Sequence, residues 1–207
     1  MLTVTACSCW SADDYHRMST IAEAVAAAAR VKGYMYTQEL HWLAETAHAL
    51  REPAAWCEIG AWQGRSATAV AAALPLRSRL QLVDNFTGPT TREAPKKADV
   101  RRQLQATIVQ MQKRSPTLRV DLSIGYSAQV APTFPDDTFN VIFIDGDHAY
   151  AAVVDDIRLW TPKLKSGGLL CGHDFTNKCG VEPAVRELCP GFAQVPATSI
   201  WHWRRLG

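Results

Sequence analysis

Three short segments concentrate side chains that hold cations or move protons. Residues 140–150 read NVIFIDGDHAY and place Asp145, Asp147 and His148 directly after an apolar run. Residues 168–174 read GLLCGHD and end on His173 and Asp174. Glu58 and Asp84 stand near the ends of two further apolar runs, WCEIGA (56–61) and LQLVDNF (80–86). Carboxylates gathered in one place repel unless a cation or a shared proton lies between them. Carboxylates and imidazoles are also the groups that take a proton from a hydroxyl. One acid after an apolar run is commonly a helix cap or a solvated loop residue. Four runs that all finish in acids call for a shared cause.

The four runs read as short buried strands, and LRVDLSIG (118–125) reads as a fifth. Helical stretches separate them. SATAVAAAL follows the first run; Val100, Leu104, Ile108 and Met111 form an apolar stripe after the second; Val153, Ile157, Trp160 and Leu164 form another after NVIFID. Alternating helices and continuous apolar strands imply an α/β fold, with a parallel sheet covered on both faces. Ligands of such sheets bind outside the carboxyl ends of the strands, which is where the acids fall. The first fifty residues look helical, with alanine-rich IAEAVAAAARV followed by Leu40, Leu43, Ala47 and Leu50 at helical spacing. The tail FAQVPATSIWHWRR reads as two strands and a turn, an antiparallel addition at the sheet edge.

The 207 residues, 47% hydrophobic and 20% charged with net charge +2, fit one soluble domain, 1–207. No apolar run approaches the roughly 18–20 residues of a membrane span, so no membrane partner is expected. MLTVTACSCW has no Lys or Arg ahead of a hydrophobic stretch, which argues against a secretory signal. Cys7, Cys9, Cys57, Cys171, Cys179 and Cys189 are accordingly read as reduced thiols of a cytoplasmic protein. Cys57 and Cys171 lie in strand-like runs as small hydrophobes, and Cys7-x-Cys9 lacks the paired spacing of a structural zinc site.

The stretch CEIGAWQGRSATAVA (57–71) narrows the ligand. Gly60 and Gly64 permit a tight turn from strand to helix, and the helix N-terminus offers free N–H groups. A dinucleotide fingerprint needs a middle glycine where Trp62 stands, and no third glycine follows Gly64. No G-x-x-x-x-G-K-[ST] segment exists, which excludes a P-loop. A cofactor with an amino-acid end remains. Glu58 can meet its ammonium group, directly or through water, and Asp84 can hold two ribose hydroxyls. That combination points to S-adenosylmethionine.

EIGAWQGRSA resembles the first motif of class I S-adenosylmethionine-dependent methyltransferases, especially the small metal-dependent O-methyltransferases. IDGDHAYAAVVDDIRLWTPKLKSGGLLCGHDF resembles a bacterial branch of that superfamily related to sugar- and antibiotic-tailoring enzymes. The resemblance covers roughly residues 55–205. It implies a Rossmann-like methyltransferase fold, a seven-stranded, mostly parallel sheet in the order 3-2-1-4-5-7-6 with strand seven antiparallel. A core of 54–207 would carry a helical cap, 1–53, packed over the site as a partial lid.

The resemblance also implies roles. Gly60, Ala61, Trp62, Gly64 and Ser66 enclose the methionine moiety above Glu58; Asp84 holds the ribose, with Asn85 near the adenine. Gly125-Tyr126-Ser127 forms the adenine-side loop, and Tyr126 replaces the acid many relatives carry. Asp145, followed by Gly146, matches a metal-ligating aspartate, and His173-Asp174 fall where relatives place two further ligands. The histidine departs from their usual Asp-Asp or Asp-Asn, and hard cations such as magnesium prefer oxygen. If His173 ligates, a transition metal fits better. Asp147 and His148 occupy positions where relatives keep a catalytic base. The expected reaction is methyl transfer to a hydroxyl of a small-molecule acceptor, with a divalent metal and one of these bases activating the nucleophile. Relatives often form dimers, which suggests a homodimer.

Two other readings stay open. Between Arg92 and Arg119 stand eight Lys or Arg against Glu93 and Asp99, a stretch that can bind nucleic acid in a nucleic-acid methyltransferase. The absence of aromatics there favours a solvated helix face. The other is an S-adenosylmethionine-binding protein with altered chemistry, since a fold alone does not fix a reaction.

Overall fold

The computed structural model describes residues 20–51, 53–88, 97–177 and 179–206. Cys7-x-Cys9 and the start of the basic stretch, Arg92 to Lys96, lie outside the described residues. The chain opens with helix α1 (Ile21–Ala29), started by a reciprocal cap. Thr20 Oγ1 accepts the Glu23 N–H, and Glu23 accepts the Thr20 N–H in return. Helix α2 (Thr37–His48) follows, and then strand and helix alternate. The succession is β1 (Ala55–Ile59), α3 (Arg65–Ala73), β2 (Arg79–Asp84), α4 (Lys97–Arg114) and β3 (Arg119–Ile124). A short α5 (Ser127–Val130) leads to β4 (Phe139–Ile144), α6 (Tyr150–Trp160), β5 (Leu164–Gly172) and α7 (Val181–Leu188). The hairpin β6 (Ala193–Gln194) and β7 (Trp201–Arg204) closes the sheet edge.

The strand order is 3-2-1-4-5-7-6, parallel except where β7 runs antiparallel to β5 and β6. Alternation along each strand feeds two cores. Trp56, Val141, Phe143 and Cys171 point to the face covered by α1 to α4; Cys57, Ile142, Ile144 and Leu170 point to the face covered by α5 to α7. Leu40 and Leu43 on α2 are fully buried in the first core, contributing about 1.5–3 kcal/mol each. The small side chains of α3, such as Ala67 and Ala69, take part in the same core.

The sequence spacing fails at one join. Leu164 falls on the apolar stripe of the preceding helix, but α6 stops at Trp160 and Leu164 opens β5. Pro162 ends the helix in a 3-10 turn, because its ring cannot continue α-helical bonding. The register between β4 and β5 then shifts between Phe139 and Val141.

Candidate active site

The turn after β1 is shaped by two glycines with positive φ. A Cβ on Gly60 (φ +89) would lie 2.1 Å from the Asp145 carbonyl oxygen, so only glycine lets β1 and β4 close this tightly. The Asp145 N–H donates to the Ile59 carbonyl at 2.8 Å across the same gap. Gly64 (φ +88) sits at the N-cap of α3. Between them Trp62 is held at φ 44, a strained value for a bulky residue, and its N–H donates to Asp84 Oδ2 at 2.7 Å. Asp84 Oδ1 accepts the Phe86 N–H at 2.6 Å. Asp84 therefore fixes the glycine turn as well as ending β2. Burial raises its pKa, and those backbone N–H groups only partly oppose the rise.

Glu58 lies beneath this turn with no exposed surface. Its Oε1 accepts the Ser66 hydroxyl at 2.6 Å, while Oε2 has no hydrogen-bond partner. Burial pushes its pKa up to about 8. A buried carboxylate oxygen without a donor fits a cofactor that brings an ammonium group or an ordered water to this place. Ala61 is buried, and Asn85 Oδ1 accepts from both the N–H and the hydroxyl of Thr87 at 2.8 Å. Ser127 donates its hydroxyl to Asp156, a buried acid of α6 whose pKa burial raises to about 6. Gly146 lies between these halves, with Ile59 and Asp156 as neighbours.

The ends of β4 and β5 carry the second cluster. His173 is its centre. Its Nε2 stands 3.0 Å from Glu39 Oε2 and 2.9 Å from Ser199 Oγ. Its Nδ1 stands 3.2 Å from Asp174 Oδ2 and 3.6 Å from Asp145 Oδ1. Burial alone would lower the imidazole pKa, but the Asp174 and Glu39 carboxylates outweigh it and raise the value to about 10. Burial acts against ionisation of Glu39 too, yet the His173 hydrogen bond carries it down to about 2. Asp145 is pushed up to about 7 by burial, against the pull of His173. Asp174 adopts φ 55, a left-handed value that aspartate tolerates.

His148 joins this cluster. Its Nε2 lies 3.0 Å from Asp174 Oδ2, and one ligand atom each from Asp145, His148 and Asp174 falls within 4.8 Å of the others. Asp147 stands apart: it is exposed, and its Oδ1 accepts the Ala149 N–H in a turn leading into α6. The sequence-derived metal set of Asp145, His173 and Asp174 is thus brought together, with His148 added from the base candidates.

Glu39 and Ser199 were not foreseen. Glu39 is at the third position of α2 and also accepts the Tyr36 N–H at 2.9 Å, so in sequence it reads as an ordinary helix-start acid. Ser199 donates to it through both N–H and hydroxyl. Arg65 is a second unforeseen link. Its guanidinium donates to the carbonyls of Ala29, Val31 and Met35, holding the α1–α2 connection against the start of α3. Tyr34 of that connection stacks on Trp62 with ring centroids 5.1 Å apart.

A parallel sheet in this order, with a glycine turn after β1 and acids at the strand ends, defines a class I methyltransferase fold. Residues 57–175 match the model of a methyltransferase domain family, and the chain belongs to that family. Among solved structures, TomG, an O-methyltransferase from Streptomyces achromogenes involved in tomaymycin synthesis and solved with SAM, has a TM-score of 0.64 and 16% identity, covering 89% of this chain and 90% of its own. An O-methyltransferase from Bacillus cereus in complex with SAH has a TM-score of 0.60 and 16% identity, covering 89% of each chain. The O-methyltransferase NovP has a TM-score of 0.64 and 18% identity, covering 83% of this chain and 81% of its own. At these identities the likeness establishes the fold. No curated protein matches the sequence. Among the described residues no helix is long and apolar enough to cross a membrane.

Proposed function

We propose that the protein is an O-methyltransferase that moves the methyl group of S-adenosylmethionine to a hydroxyl of a small molecule, assisted by a divalent cation at the ends of β4 and β5. One observation carries the reading. The Gly60 turn and the Asp145 backbone are in contact, so the buried, orphaned Glu58 oxygen beneath the turn and the charged cluster lie at the same end of the sheet. Solved O-methyltransferases of this fold are described in complex with SAM and SAH, which supports the cofactor.

The chain's own residues suit these tasks. Glu58 receives the ammonium end, and Asp84 turns its remaining lone pairs to a ribose diol. S-adenosylmethionine supplies a methyl group on a sulfonium, while a bound cation lowers the pKa of an acceptor hydroxyl. Asp147, whose Oδ1 holds the turn and leaves Oδ2 open, and His148, whose Nε2 meets Asp174, are the two groups placed to take the acceptor proton. A groove of about 530 Å³ runs beside the cluster, lined by Tyr36, Gln38, Glu39, Phe175, Thr198 and Ser199 among others. Its volume suits a small molecule. Glu39 and Ser199 also touch His173, so this groove lies one residue away from the charged cluster.

Calorimetry with S-adenosylhomocysteine tests the cofactor reading. Asp84→Ala is expected to weaken binding about 10-fold or more, since a charge-assisted hydrogen bond contributes about 1.5–3 kcal/mol. Binding of NADH instead would overturn it. Transfer of labelled methyl to hydroxylated small molecules, with and without chelator, tests the reaction. Label appearing in RNA or DNA would move the acceptor to the basic face of α4, where Arg101, Arg102, Lys113 and Arg114 are exposed.

A further inference from the structure

We propose that Asp145, His148, His173 and Asp174 form a two-imidazole, two-carboxylate centre that selects a first-row transition ion over Mg²⁺, and that Glu39 positions His173 for it. The proposal takes from the functional reading only that a cation resides at the ends of β4 and β5.

Geometry supplies the first argument. His173 Nδ1 faces Asp174 Oδ2 at 3.2 Å and Asp145 Oδ1 at 3.6 Å, and His148 Nε2 faces Asp174 Oδ2 at 3.0 Å. Atoms of Asp145, His148 and Asp174 all lie within 4.8 Å of one another. Ligands around an ion bound at ~2.1 Å stand no more than ~4.2 Å apart, so small side-chain rotations close the set of Asp145, His148 and Asp174, and His173 Nδ1 is already within that spacing of both aspartates.

The second argument comes from a different part of the chain. A ligating histidine donates its other ring N–H to a carboxylate, which fixes the tautomer and aims the free nitrogen at the metal. Glu39 provides that carboxylate at 3.0 Å from His173 Nε2, and it is only 2% exposed. Ser199 donates to Glu39 Oε1 through its N–H (3.1 Å) and its hydroxyl (3.0 Å), holding the carboxylate in place. With Nε2 committed to Glu39, Nδ1 is the nitrogen facing both aspartates, and the proton it directs at Asp174 in the ion-free cluster must leave when a cation takes its place. Glu39 and Ser199 both lie outside the residues 57–175 that match the family. This support is therefore built by the cap and the closing hairpin of this chain.

Donor chemistry then sets the metal. Mg²⁺ demands oxygen ligands in near-ideal octahedral geometry and keeps several waters. Imidazole nitrogens shift the preference toward the later first-row ions. Two imidazoles with two carboxylates are a poor cage for Mg²⁺ and a good one for Co²⁺ or Zn²⁺.

The test is calorimetric titration of chelator-treated full-length protein with CoCl₂ and MgCl₂, alongside S-adenosylhomocysteine binding on the same preparations. Co²⁺ is expected to bind at least ~100-fold more tightly than Mg²⁺. His148→Gln and His173→Gln should each cut that ratio ~10-fold or more and change the visible Co²⁺ spectrum. Glu39→Gln should weaken Co²⁺ by about 10–100-fold, with partial recovery in Glu39→Asp. Pulsed EPR of the Mn²⁺-loaded wild type gives a reading independent of any variant's folding: imidazole nitrogen modulation is expected. Equal affinity for Co²⁺ and Mg²⁺, selectivity that survives both histidine variants, or no nitrogen modulation would each overturn the proposal. If S-adenosylhomocysteine binds normally in that case, the methyltransferase reading stands without this centre. Co²⁺ selectivity without S-adenosylhomocysteine binding keeps the centre and removes the methyltransferase reading.

Discussion

The glycine turn after β1 and the charged cluster at the ends of β4 and β5 are built in opposite ways. The turn draws Glu58, Gly60, Trp62, Gly64 and Ser66 from one continuous stretch, with the Asp84 carboxylate, the Asp145 backbone and the Tyr34 ring closing on it from elsewhere. The cluster draws Glu39 from α2, Asp145 and His148 from the β4–α6 join, His173 and Asp174 from the end of β5, and Ser199 from the hairpin. Binding a cofactor can be encoded locally, because one backbone turn supplies most of the contacts. Gathering like charges needs several elements, each contributing a side chain that neutralises its neighbours.

The contrast predicts where substitutions act. Gly60→Ala should be the most damaging, since it places a Cβ 2.1 Å from a carbonyl oxygen at φ +89. We expect a loss of at least ~4 kcal/mol in chemical denaturation, from backbone strain and overpacking together. Glu39→Ala should cost about 3 kcal/mol, because it leaves one member of a buried ionic group without its partner. Its sharper signature is functional: turnover should collapse while S-adenosylhomocysteine affinity stays within about threefold, as expected for sites that couple weakly. A large loss of cofactor affinity in this variant would break the division into two halves.

Glu58 gives a pH-dependent prediction within the local half. Its folded pKa of about 8 lies above the ordinary 4.5, so between those values the folded chain keeps a proton that the unfolded chain releases. Stability should fall as pH rises through that window and level off above it. Glu58→Gln should remove that slope, which amounts to about 1.4 kcal/mol for each pH unit between the two values. Urea midpoints of both proteins across the range check it. Ser199→Ala should be mildest, about 1 kcal/mol, because the backbone N–H still reaches Glu39 at 3.1 Å.

The same contrast explains what the sequence disclosed. The strand ends and the glycine turn are legible because apolar runs, glycines and acids lie next to one another in CEIGAWQGRS and NVIFIDGDH. Glu39 is not legible, because a glutamate at the start of a helix already has an ordinary role in accepting the Tyr36 N–H. Arg65 looks like a solvent-facing arginine until Gly33 and its neighbours are seen folded over its side chain. His148 reads as a base candidate from its position alone; its 3.0 Å contact with Asp174, at the end of a different strand, appears only in the fold. The start of β5 was misplaced because Leu164 satisfies two periodicities at once, and Pro162 decides between them.

The bond between Ser199 and Glu39 spans 160 positions of sequence. During synthesis, α2 leaves the ribosome long before its partner does, and it waits while six of the seven strands are laid down. The β1 turn, by contrast, can settle as soon as β4 arrives. A product that stops short of Ser199 would therefore carry a nearly finished cofactor turn beneath an unlatched cap. Such a fragment would also lack β7, whose Trp201 is fully buried and pairs with β5, so the final hairpin completes the core in the same stroke that it latches Glu39.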